Sequence, residues 1–204
     1  MMIRWPCAAC LLWALPVLQA NAQPATYRLD AQETTAGYET RFLGVLPMRG
    51  DFKRSSGTLI YDPTTRTGSV DVRIEAASMI SSPAKAETTA RGRDFFNVEH
   101  HPFIAFSAAN FAFDSDGLRA VEGLLTLVGV TQPVALAVRS AHCEPLVCRA
   151  EGEVVVQRTR FGMKAWSRMV SDDVTIRISL VARLAAAAGT AAVPVVETPP
   201  ALAN

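Results

Sequence analysis

The sequence holds few of the residues that enzymes use for chemistry. There are three histidines, His100, His101 and His142. The first two are adjacent, so in an extended chain they point in different directions and chelate poorly. No serine sits in a nucleophile-elbow setting, and Arg91-Gly92-Arg93 is not followed by a helix of the nucleotide-binding kind. Asp172-Asp173 reads as a turn opening a strand, whereas catalytic carboxylates need a defined separation across a cleft. Excess charge is also missing. A formal net charge of +1 excludes the strongly basic face that a nucleic-acid binder would carry. No catalytic residue, metal site or cofactor is expected, and no repeat or internal linker interrupts the chain.

Cysteine is scarce, and half of it falls in a segment expected to be removed. Met1-Met2-Ile3-Arg4 is a short basic start, Trp5 to Leu18 is almost continuously apolar, and Ala20-Asn21-Ala22 supplies small residues for a signal peptidase. Pro6 and Pro16 interrupt the apolar run, which is short for a bilayer span. Residues 1–22 therefore read as a signal peptide carrying Cys7 and Cys10, with cleavage after Ala22 and a periplasmic or secreted destination. Cys143 and Cys148 remain, with Glu144-Pro145 between them to form a turn. In an exported chain this pair reads as a disulfide across a hairpin or loop. A redox pair is the alternative, although the C-x-x-x-x-C spacing lacks the helix-start geometry that lowers a thiol pKa.

At the other end, residues 185–204 are rich in alanine, proline, valine and threonine, and Glu197 is their only charge. Such a segment has no period that could bury a face, so a disordered tail is expected. The remaining core, residues 23–184, has the size of one ordinary domain.

Within that core short strand signals recur. In Ser69-Val70-Asp71-Val72-Arg73-Ile74-Glu75 the apolar side chains share one face and the charges share the other. Asp62 to Gly68 and Asp114-Ser115-Asp116-Gly117 read as turns. Pro83 to Gly92 is the best helix, with Ser81 or Ser82 as its cap and Pro83 in its first turn. Many short strands with one short helix predict an all-β antiparallel sandwich or barrel. Alternation alone leaves open whether the interior is filled or hollow.

The most informative stretch runs from Arg93 to Phe106 and joins charge, the Phe95-Phe96 pair, a polar turn closed by Pro102, and a strand. Arg91 and Arg93 precede that aromatic pair, and Arg158 and Arg160 precede Phe161-Gly162-Met163. These guanidinium groups can be solvated rims whose stems cover apolar surface, or the mouth of a cavity that grips a polar head group.

Taken together, the blocks resemble the YceI-like family of exported lipid-binding proteins. The likeness runs from Tyr27-Arg28-Leu29-Asp30 through Arg41-Phe42-Leu43-Gly44-Val45, Gly57 to Pro63 and Val70 to Ser78. It continues through Arg93 to Phe106, Gly123 to Val134, Arg160-Phe161-Gly162-Met163 and Ser171 to Ile176. The resemblance implies an eight-stranded antiparallel, lipocalin-like β-barrel with one or two short helices. It also implies a long-chain lipid ligand: a polyprenyl quinone, a polyprenyl phosphate or a fatty amide. Phe42, Val70, Val72 and Ile74 would then line the interior with Ile104, Phe106, Leu125, Leu127, Val134 and Leu136. Phe95, Phe96 and Phe161 would join that lining, with Phe95 and Phe96 closing one end, and Arg91, Arg93 and Arg160 would stand at the mouth for the head group. A transient membrane contact and a homodimer are further expectations. The chain also departs from the family pattern. Glu33-Thr34-Thr35, Thr88-Thr89-Ala90-Arg91 and Val128-Gly129-Val130-Thr131-Gln132 stand where members often carry a histidine, which removes polar anchors used elsewhere.

Overall fold

The computed structural model describes residues 23–82 and 84–186. The expected signal peptide, Pro83 of the expected helix start and residues 187–204 of the expected tail lie outside the described residues. The described strands are β1 (Ala25–Leu29), β2 (Thr35–Phe42), β3 (Leu46–Phe52), β4 (Ser55–Asp62), β5 (Thr67–Glu75) and β6 (Met79–Ser82). They continue with β7 (Phe103–Ala112), β8 (Ala120–Leu127), β9 (Val130–Cys143), β10 (Val147–Gln157) and β11 (Asp173–Leu184). Helix α1 (Ala84–Arg91) leads from β6 towards β7, and Ala76–Ser78 and Arg158–Phe161 form single 3₁₀ turns.

All pairings are antiparallel, and eight strands close a ring in the order β1-β4-β5-β7-β8-β9-β10-β11, with β11 returning to β1. The expected all-β eight-stranded barrel is therefore present. The other three strands prolong members of the ring: β2 continues β1, β3 continues β4, and β6 continues β5 after short breaks. The first break is a turn in which the Asp30 carboxylate accepts from the Gln32 and Glu33 amides. There the Thr34 hydroxyl stands in for the missing ladder, donating to the Val181 carbonyl and accepting from the Val181 amide, both at 3.1 Å. The second and third breaks meet at buried Ser78, whose Oγ accepts from the Arg54 amide at 3.0 Å and donates to the Glu75 carbonyl at 2.6 Å. Beyond this level β6 pairs with β3 alone, and the chain leaves through α1 instead of pairing with β7. Helix α1 and the 92–102 segment thus occupy the side of the barrel where the β-ladder has opened.

Parity along the strands follows the charge pattern. Val72 and Ile74 are buried while Asp71 and Arg73 are exposed. Outside, arginine–carboxylate pairs cross the strands, as between Arg177 and Glu39 (3.0 Å) or Arg139 and Glu153 (2.6 Å). Hydrogen bonds from Arg49 and then Arg177 hold the Glu39 carboxyl below the usual carboxylate range, and those from Arg139 and then Arg177 do the same for Glu153.

The β9–β10 hairpin carries the disulfide Cys143–Cys148, and the Glu144 amide donates to the Val147 carbonyl to close its turn. A loop this short gains about 2 kcal/mol on the chain-entropy model. Replacing both cysteines by serine is therefore expected to lower the unfolding free energy by about that amount, read as a shift of the urea midpoint at unchanged slope. Loss of the cooperative transition would contradict a local role for the bridge.

Candidate functional site

Two chambers lie inside the barrel, one towards each end. Their walls share Ala36, Ile74, Ile104 and Ile176. These four residues, on β2, β5, β7 and β11, form a waist between the two chambers.

The first chamber lies on the disulfide side of the waist. Val70, Val72, Phe106, Leu125, Val134 and Leu136 line it, as strand parity predicts, and Leu59, Val121, Val154 and Ile178 join them. Tyr61 and Phe113 (ring centroids 5.5 Å apart) and Phe111 and Phe113 (6.3 Å) mark its far end beside Cys143 and Cys148. Its ionisable side chains, His142, Arg149 and Glu151, are exposed. A wall of this kind offers no directional contact, so only the transfer of apolar surface from water would favour a guest.

The second chamber lies between α1, the 92–102 segment and the open half of the sheet. Phe96 packs against Tyr38 and Phe52, each ring 5.7 Å away. Phe95 stands edge-on to Trp166 at 6.2 Å. Both phenylalanines line the chamber, as does Leu127. The Tyr38 phenol has its pKa pushed up by burial. The Thr40 hydroxyl donates to the Asp173 carbonyl at 3.2 Å.

The end of this chamber is held by Arg158, a charged side chain only 2% exposed. Its Nε donates to the Ser171 carbonyl (3.1 Å), Nη1 to Met163 (2.5 Å) and Ala165 (2.8 Å), and Nη2 to Val170 (3.1 Å). The guanidinium carbon also sits 5.8 Å from the Phe95 ring centroid, within cation–π reach. Burial pushes its pKa down, opposed by Asp172. That carboxylate is itself tied to the Thr159 amide (3.0 Å) and hydroxyl (2.9 Å). Arg158 therefore closes the 162–171 loop over the barrel end with backbone carbonyls as its partners.

None of the three arginines expected at the mouth lines a chamber wall. Arg91 pairs with Glu87 at 2.9 Å and donates to the Met79 carbonyl at 2.5 Å, which fastens α1 to β6. Arg93 and Arg160 are exposed and belong to neither chamber wall. Phe42 has the inward parity of Ala36, Tyr38 and Thr40, but it lies one step past the chamber, bridged to Val170. Phe161 is 2% exposed and packs in the core beneath the second 3₁₀ turn, outside both walls. Sequence reasoning named Arg158 only as part of a basic cluster. It passed over Tyr38, Phe52 and Ile176, although the parity of β2, β3 and β11 could have found them.

Among the described residues no group of histidine, cysteine or carboxylate side chains is placed to hold a metal ion. His100 contacts Asn97 at 3.1 Å and lines neither chamber.

The model of the YceI-like domain matches residues 27–182. The chain belongs to the YceI-like family. UPF0312 protein plu2095 of Photorhabdus laumondii is 31% identical over 126 residues, which cover 60% of this chain and 65% of that protein. This YceI-like chain thus spans just under two thirds of that relative's length. Among solved structures, BcnA of Burkholderia cenocepacia superposes with a TM-score of 0.66 at 22% identity, covering 75% of this chain and 98% of BcnA. A polyisoprenoid binding domain from Saccharophagus degradans superposes with a TM-score of 0.61 at 12% identity, covering 80% of this chain and all of that domain. At these identities the likeness concerns the barrel fold.

Proposed function

We propose that this YceI-like protein is a periplasmic, non-enzymatic carrier that holds one long isoprenoid chain, or a similar amphiphile, along the barrel axis. The observation that carries this reading is the pair of apolar chambers whose walls share Ala36, Ile74, Ile104 and Ile176. A compact ligand would need one chamber, whereas a polyprenyl quinone, a polyprenyl phosphate or a fatty amide has a tail long enough to use both. The polyisoprenoid binding domain with the same fold supports that ligand class. The expected leader over residues 1–22 supports export. Burial of apolar surface at roughly 25 cal/mol per Å² gives such a chain a large driving force without a dedicated polar anchor. This accords with walls whose charged side chains, Arg158 apart, lie at the edges.

The test is extraction of the protein, purified from its native host, with organic solvent, followed by mass spectrometry. A co-purified prenyl or long-chain lipid near one equivalent per chain is the expected result. Absence of any lipid, with no uptake of added polyprenyl compounds, would overturn the carrier reading and favour a partner-binding barrel.

A further inference from the structure

The barrel end that adjoins the second chamber carries an unusual surface. The β2–β3 turn exposes Leu43 (57%), Val45 (76%) and Leu46, and the 162–171 loop exposes Trp166 (45%) and Met169. The two segments form one tip. The Leu43 amide donates to the Met169 carbonyl at 2.6 Å, the Ser171 amide to the Arg41 carbonyl at 2.9 Å, and Phe42 bridges Val170. Isolated exposed apolar residues are ordinary, but several large ones on two adjoining loops mark an interaction site.

Backbone conformation adds an independent observation. Leu43 (φ 51°) and Trp166 (φ 55°) adopt the left-handed region. Large or β-branched side chains rarely adopt that region, where glycine or asparagine costs less. Strain that presents apolar side chains to solvent points to a surface kept for contact.

Charge then indicates what the surface meets. Most exposed arginines on the barrel wall are matched to a carboxylate, among them Arg49, Arg54, Arg139, Arg177 and Arg183. Around the tip Arg41, Arg93, Arg160, Lys164 and Arg168 are exposed and enter none of the ion pairs among the described residues. The nearby carboxylates are fewer: Asp94, Glu99 and Asp173, besides Asp172, which is bound to Thr159. At the opposite end the turns carry Asp62, Asp114, Asp116 and Glu144 together with Arg66, bonded to the Asp114 carbonyl, and Arg119, paired with Asp116. A cationic collar around exposed leucine, valine and tryptophan complements an anionic lipid surface, with tryptophan at the headgroup level.

We propose that this end docks on anionic bilayers, with Leu43, Val45, Leu46 and Trp166 entering the headgroup region and the cationic collar facing the lipid phosphates. The inference deepens the carrier reading, because Val170 and Met163 line the second chamber directly behind the tip. A chain leaving that chamber would meet the membrane without crossing bulk water.

Trp5, Trp13 and Trp166 are the only tryptophans, so after removal of the expected leader the emission reports Trp166 alone. The processed protein would be mixed with phosphatidylcholine vesicles, with or without phosphatidylglycerol, and followed by sedimentation and tryptophan emission. Expected are a blue shift and co-sedimentation with phosphatidylglycerol vesicles, both reversed by salt. The double variant Val45→Asp/Leu46→Asp should bind at least 10-fold more weakly. Lys164→Ala and Arg168→Ala should each weaken binding about 5-fold, as expected for one basic side chain at an anionic surface. The thermal midpoint and extracted lipid content of each variant report separately on folding and on cargo. Binding that ignores the phosphatidylglycerol content, or that survives the double aspartate variant, would overturn the proposal, as would no binding at all. Vesicle binding by a protein that carries no lipid would leave the docking surface standing and remove the carrier reading.

Discussion

Filling the waist of the tunnel is expected to abolish tight retention of long prenyl chains. Ala36 is 3% exposed and belongs to the walls of both chambers. The Ala36→Phe variant puts a ring where the tail must pass, and Ile104→Phe does the same from the opposite side of the ring of strands. A buried methylene is worth about 0.8 kcal/mol, so each excluded five-carbon prenyl unit costs up to about 4 kcal/mol, or close to 1000-fold in Kd. Overpacking itself is expected to cost about 1–3 kcal/mol of stability, so two plugs at different sites separate lost space from lost fold. The measurement is Kd for prenyl compounds of increasing length. In the native protein affinity should climb until both chambers are filled, whereas in the plugged variants it should level off once one chamber is full. Equal affinities for short and long chains in all three proteins would mean that the chambers do not act as one tunnel.

The second large effect concerns stability. Arg158→Met removes the guanidinium donors to the carbonyls of Met163, Ala165, Val170 and Ser171, the last of which keeps the Thr40 hydroxyl at 3.5 Å. Leaving a buried acceptor unpaired costs about 1–3 kcal/mol. Water can reach some of these groups once the loop loosens, so a total loss of about 3–5 kcal/mol is expected. The control is Arg160→Met, an exposed neighbour two residues away, which should stay within about 0.5 kcal/mol of the parent. Denaturant midpoints decide the matter. Equal midpoints for the two variants would show that Arg158 does not hold the 162–171 loop.

How much of this was legible in the sequence differs from element to element. The β5 stretch Ser69 to Glu75 could be read outright, because half-burial imposes a period of two on side-chain polarity. Asp62 to Gly68 and Asp114 to Gly117 announced their turns through residues that bond their own backbone, as the Asp62 carboxylate does to the Thr64 amide at 2.8 Å. The short strand Met79–Ser82 was not foreseen. Four residues are too few to show a period, and its existence depends on Ser78 ending two neighbouring strands at one level. Parity placed Val70, Val72, Ile74, Ile104, Phe106, Leu125, Leu127, Val134 and Leu136 on chamber walls, but it cannot say where along the axis a wall stops. That is why Phe42 falls past the end. Arginine was the hardest to place. Arg91, Arg93, Arg158 and Arg160 look alike as letters, yet one is buried under a loop, one staples the helix, and two face solvent. Only the spatial arrangement of backbone carbonyls makes that distinction.

The central claim is that one long chain lies through both chambers. A crystal structure of the protein purified with its native lipid tests it most directly. Continuous tubular density passing between Ala36, Ile74, Ile104 and Ile176 into both chambers is the expected result. Density confined to one chamber, or side chains of the waist closed over an interior that excludes the lipid, would contradict it.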